Sequence, residues 1–297
     1  MNELTVEPVV AKEFRRHRRD RIPPLVVGAA GFVIAIILTT LLADFLAPYG
    51  FAEQNLDARM QPPLFFGGTG DHFLGTDSLG RDILSRILYG ARTSILIAIG
   101  GTLFGALFGT SLGFFAAHFR GLYEEAVMML VDLQGAIPNI VLALAILAFF
   151  GNQLWLFILL VGLDGWERYA RLSRGLVLAA KESGYVLSMR LIGASPVRIY
   201  FGQVLPNVLG ILIVQATLNF PGTIMLETAL SFLGLGVQPP MTSLGQMLGQ
   251  GRAFLLNAWW IAVCPGVVIF LTTLSICLIG DWLRDRLDPS LGRAGSH

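Results

Sequence analysis

Six stretches of this chain, 25–46, 93–117, 126–150, 154–172, 208–232 and 258–279, run for about twenty residues with few charges. At about 1.5 Å per residue each is long enough as a helix to cross roughly 30 Å of hydrocarbon. A chain of 297 residues that is 54% hydrophobic and 14% charged has more apolar surface than one soluble core hides. The runs lack the period-two alternation of a lipid-embedded barrel. The expectation is an all-α membrane protein with six transmembrane helices. The fourth is unusual, because its strongly apolar part, 154–163, is short and runs into Asp164, Gly165, Trp166 and Glu167. That polar end has to be buried against other helices or face an aqueous cavity.

Cation placement sets the orientation. With the N-terminus inside, only Arg59, Arg81, Arg86, Arg92 and Arg252 fall outside, and the rest of the 21 lysines and arginines are cytoplasmic. Both termini are therefore expected inside. The implied organisation is a tail 1–24, a first membrane helix 25–46, an extracytoplasmic loop 47–92 with an interfacial helix, a five-helix core 93–282 that includes a cytoplasmic loop 173–207, and a tail 283–297. The basic run KEFRRHRRDR reads as a topology anchor because an apolar run follows it directly, not as a nucleic-acid patch or a signal-peptide n-region. No A-x-A cleavage site follows, so the first helix is expected to be retained.

Residues for chemistry are missing. Lys12 and Lys181 are the two lysines, and neither sits in a phosphate-cradling G-x-x-x-x-G-K-[ST] frame. His17, His72, His118 and His297 are scattered without metal-ligand spacing, and Ser173 and Ser243 have no nucleophile elbow around them. Cys264 and Cys277 share one predicted helix about 20 Å apart, too far for a disulfide. The chain is not expected to be an enzyme, nor to hold a metal or cofactor.

Other patterns describe a packed bundle. Gly101, Gly105, Gly109 and Gly113 form a ladder of small residues in the second helix, suited to close static packing or to sliding. Pro138 and Pro221 favour kinks, with Asn139 beside the first and Gln215 and Asn219 near the second. These three polar side chains either line a pathway or make interhelical hydrogen bonds. Glu227 and Asp132 fall near predicted helix ends, where a structural role suits them. In the outer loop, Thr76 or Asp77 is placed to cap a short amphipathic helix with Asp77–Arg81 and Asp82–Arg86 pairs, lying at the interface before the second span.

Between the fourth and fifth spans, Tyr185, Met189 and Ile192 recur at helical spacing, and Gly193 and Ala194 interrupt them. Ser195 followed by Pro196 reads as an N-cap with proline at the first helical position. A second short helix is expected over 196–203, breaking at Leu205-Pro206. A cytoplasmic helix-turn-helix with uncovered apolar side chains either docks a partner or lies on the membrane surface.

The stretch WERYARLSRGLVLAAKESGYVLSMRLIGASPVRIYFGQVLPN resembles the cytoplasmic EAA loop of binding-protein-dependent ABC importer permeases. FLGTDSLGRDILSRILYGARTS, LETALSFLGLGVQPPMTSLGQML and GDWLRDRLDPSL resemble segments of one branch, the second permease subunit of dipeptide, oligopeptide and nickel importers. One departure stands out: Leu187, Ser188 and Met189 precede Arg190 where the family usually reads Glu-Ala-Ala. The resemblance implies a type I ABC importer permease fold, with a homologous permease completing the pathway. It also implies two ATPase subunits that bind ATP and Mg, an extracytoplasmic solute-binding protein, and a bacterial plasma (inner) membrane location in contact with lipid. On that reading Tyr185 and Met189 are apolar knobs in the ATPase groove, Arg190 is an ion-pairing residue, and Gly193, Ala194, Ser195 and Pro196 form the turn that sets helix direction. The competing classes are an ATP-independent secondary transporter or channel, for which no inverted repeat or intramembrane acid pair stands out, and a scaffold that only anchors ATPases. The sequence leaves the solute open among dipeptides, longer or modified peptides and a chelated metal.

Overall fold

The structure is a computed structural model that describes residues 22–287. The tail 1–24, with its basic run, and the tail 283–297 fall largely outside the described residues. Pro24–Leu41 forms α1, with prolines fixing its first turn, and a four-residue helix α2, Ala43–Leu46, follows. The outer loop then holds two single turns of 3-10 helix, Leu56–Ala58 and Leu64–Phe66.

The interfacial helix expected before the second span is not a separate element. Residues 83–92 are the first turns of α3, Ile83–Phe119, a continuous helix of 37 residues. At about 55 Å it is far longer than a bilayer needs, so its start projects beyond the hydrocarbon. Its N-cap is Asp82, whose carboxylate accepts from the Ser85 amide at 2.7 Å; neither Thr76 nor Asp77 is the cap. This helix is the hub of the bundle and packs against most of the others.

The third apolar window becomes two helices, α4 (Leu122–Ala136) and α5 (Asn139–Phe150), that meet at 90° across Ile137 and Pro138. Proline removes a backbone donor and keeps the residue before it out of helical geometry. The fourth window also breaks. α6 (Leu154–Gly162) ends at the left-handed Gly165, φ 92°, and α7 (Trp166–Lys181) starts from there. Beyond it lie α8 (Gly184–Leu191) and α9 (Pro196–Ile199). The expected break at Leu205-Pro206 is absent. α9 passes through a π-helical turn, Tyr200–Val204, straight into α10 (Leu205–Phe232), and Pro206, which has no amide to donate, follows directly on that wider turn. α11 (Leu244–Gly251) and α12 (Trp260–Leu287) complete the chain.

Four helices among the described residues are therefore long and apolar enough to cross a membrane, or five when α4 and α5 count as one bent span. The expected six included the fourth window, which the structure divides between α6, too short alone, and the more polar α7. Close packing of α3 against α6 and α7 follows from the glycine ladder. A methyl on Gly105 would stand 2.5 Å from the Gly162 carbonyl oxygen, and one on Gly109 or Gly113 would overlap the Trp166 or Ala170 carbonyl. The ladder thus serves direct backbone-to-backbone packing. Large apolar side chains such as Phe45, Leu107 and Phe149 face outward, as side chains meeting lipid do.

Candidate functional site

Three polar or exposed features stand out on this scaffold. The first is the segment after α7. Val186 is fully buried and, with Ile199 and Val204, joins a core cluster that includes Tyr169, Val177 and Val208. That cluster fixes the segment to the bundle. Met189 and Ala194 lean on the same cluster, while Tyr185 and Leu187 are partly uncovered and Leu191 and Ile192 are 88% and 78% exposed. Gly193 sits at φ 78°, a left-handed turn that favours glycine, and a methyl there would meet open space. Ser195 then caps α9 by accepting from the Arg198 amide at 3.4 Å, with Pro196 at the first helical position. Val197 and Phe201 extend the exposed apolar surface. Sequence spacing missed Leu191, which lies off the 185/189/192 face, and Val197 and Phe201, which lie beyond the Gly193 turn that breaks the helical register. The Arg190 side chain lies outside the described residues.

The second feature joins the two helix breaks. Asn139, in the first turn of α5, donates to the Asp164 carboxylate in the break after α6 and accepts from Gln134 at 2.7 Å. Asn219 of α10, 2% exposed, donates to the Asp164 carbonyl at 3.3 Å and accepts from Arg168 at 3.1 Å. Gly165 has no side chain because the Asn219 amide occupies that space. Asn139 and Asn219 are thus bridged through Asp164; Gln215, one turn before Asn219, is half buried and has no described contact with the cluster. Glu167 lies beside them, its Oε1 3.4 Å from Arg168 Nε. About ten to thirteen residues separate these positions from the far ends of α5, α6 and α10, roughly 15–20 Å along each helix. Lower down, Arg171 pairs with Asp132 at 2.9 Å and Arg174 with Glu124 at 2.6 Å, tying α7 to α4.

The third feature is a clamp at the N-terminal end of α3. Arg86 is 1% exposed and donates to Asp77 at 2.5 Å and to Gln250 at 2.9 Å. The expected Asp82–Arg86 pair does not form: Asp82 is engaged in the cap and with His72 at 3.1 Å, and Asp77 holds both Arg81 and Arg86. Trp260 donates to the Thr76 carbonyl at 3.1 Å, so the outer loop, α11 and α12 share one anchor. Glu227, fully buried, accepts from Ser94 at 3.1 Å and Ser231 at 2.9 Å and links α3 to α10. No group of three His, Cys, Asp or Glu among the described residues is arranged to hold a metal, and the two cysteines are unpaired.

A bundle of long apolar helices, with two helix breaks joined by polar side chains and an exposed apolar segment at one end, is the architecture of a multi-pass membrane protein. Residues 109–293 match the family of binding-protein-dependent transport system inner membrane components, and the chain belongs to that family. Residues 10–63 match the N-terminal transmembrane domain of oligopeptide transport permease C. The chain is 40% identical over 269 residues to the di/tripeptide transport system permease protein DppC of Pseudomonas aeruginosa, covering 90% of this chain and 89% of that one. It is 41% identical to the dipeptide transport system permease protein DppC of Escherichia coli, with 90% and 89% covered, and 38% identical to the glutathione transport system permease protein GsiD of Pectobacterium atrosepticum, with 94% and 91% covered. A chain from an inward-facing structure of the MetNI methionine ABC transporter superposes with a TM-score of 0.57 at 20% identity, covering 69% of this chain and 98% of that one, which shows a shared fold. The protein is a multi-pass permease subunit of a bacterial ABC importer. It works with an ATPase and a binding protein, and ATP is bound and hydrolysed by the ATPase, not by this chain.

Proposed function

We propose that this chain is one of two homologous permeases forming the pathway of a type I importer for short peptides, with six spans once the α6–α7 unit is counted as a broken crossing. Both termini face the cytoplasm, and two ATPase subunits grip the loops 173–207 of the pair. An extracytoplasmic binding protein delivers the solute. The relatives' peptide and glutathione substrates support the solute class. The observation that carries the coupling role is the geometry of α8 and α9, anchored by Val186 and Ile199 below and presenting Tyr185, Leu187, Leu191, Ile192 and Val197 outward. Such a knob, fixed to the bundle by a small core of its own, transmits a push from the ATPases to α7 and α10 as one body.

Gly193→Arg tests this. A side chain there meets nothing within the chain, so the variant is expected to insert and to assemble its own bundle, at the modest strain of a left-handed residue. Solute-stimulated ATP hydrolysis of the reconstituted complex is expected to be abolished, and normal coupling would show that the turn plays no part.

A further inference from the structure

Glu167 lies deep in the bundle and is 7% exposed, yet its Oε2 has no donor. A carboxylate in the first turn of a helix is favoured by the helix dipole, which accounts for an acid at this place. It does not account for an oxygen left unpaired at depth, where an unsatisfied charged group carries a heavy penalty and marks function. Its other oxygen touches Arg168, whose guanidinium also serves Asn219, so Glu167 belongs to the cluster that joins the two helix breaks. Asp164 adds a second carboxylate, and one guanidinium against two carboxylates leaves the cluster net negative. The Arg168 side chain is 55% exposed, so the cluster reaches the surface of the isolated chain.

We infer that Asp164, Glu167 and Arg168, framed by the Asn139 and Asn219 amides, form a transient site for the α-ammonium end of a peptide crossing the membrane. An ammonium offers three donors and no acceptor, and it supplies the donor that Glu167 Oε2 lacks. This rests on the reading of the chain as a peptide permease. The test uses the whole importer, both permeases with ATPases and binding protein, reconstituted in liposomes, with radiolabelled alanyl-alanine as solute. Absence of ATP-dependent uptake by the wild type overturns the peptide-permease reading and this site with it. Given wild-type uptake, Glu167→Gln is expected to lower the rate at saturating binding protein by about tenfold or more, the scale of one charge-assisted hydrogen bond. In the wild-type complex without binding protein, alanyl-alanine is expected to raise the melting temperature and N-acetyl-alanyl-alanine is not, an arm that decides the matter even where the variant fails to assemble. Equal stabilisation by the two peptides, or wild-type uptake in both Glu167→Gln and Asp164→Asn, overturns the site while leaving the permease reading intact.

Discussion

Arg86 shows how a single residue holds the outer end together. Its guanidinium spans Asp77 in the outer loop and Gln250 in α11, elements far apart in sequence. Removing Arg86 leaves Asp77 its contact with Arg81 but takes a buried donor from both Asp77 and Gln250, at a loss of about 1–3 kcal/mol. Arg86→Ala is therefore expected to lower the melting temperature of the detergent-purified chain markedly. Arg86→Lys is expected to recover little, because an ammonium cannot reproduce the two-armed contact. A lysine variant as stable as the wild type would mean that charge alone suffices. The i,i+4 spacing pointed to Asp82 as the partner of Arg86, and the structure gives Asp77 instead, because Asp82 is taken up by the helix cap and His72 and the loop folds Asp77 back onto Arg86.

At the scale of helices, the α3 ladder and the two breaks do opposite things. The ladder brings α3 against α6 and α7 with carbonyls facing the glycines, so Gly109→Val drives a side chain into the Trp166 carbonyl. Overpacking of this kind costs about 1–3 kcal/mol or more, and loss of folded protein in size-exclusion chromatography is expected. Gly222→Ala, on α10 with open space around it, is the matched control and is expected to elute as the wild type does. At the break after Leu163, Asn219 donates to the Asp164 carbonyl, and Asn139, beside the break at Ile137-Pro138, donates to the Asp164 carboxylate and so ties the two breaks together. Pro138 announced the first break. Nothing local announced that Asp164 would bridge to Asn139, and the charges directly after 154–163 were the one sign that the fourth window was not a simple span.

For the molecule as a whole, the exposed apolar patch on α8 and α9 is the surface through which partners are expected to act. Leu191 and Ile192 stand furthest out, and an anchor of this kind carries about 2 kcal/mol or more of binding. Ile192→Asp is expected to weaken capture of the ATPase subunits by tagged permease by roughly thirtyfold. Undiminished copurification would point to a surface that merely rests on lipid. Hydrophobic run length, cation placement, the missing P-loop and the order of four motifs were determined by the sequence alone, because each is a local or compositional property. Where helices break, which acid meets which cation, and that Met189 turns toward the core while Leu191 turns away were decided only by the tertiary structure. Inside a membrane any apolar residue suits lipid and protein alike, so hydrophobicity cannot say which side of a helix is buried. That choice belongs to the shape of the neighbouring helices and to the few polar groups that must find one another.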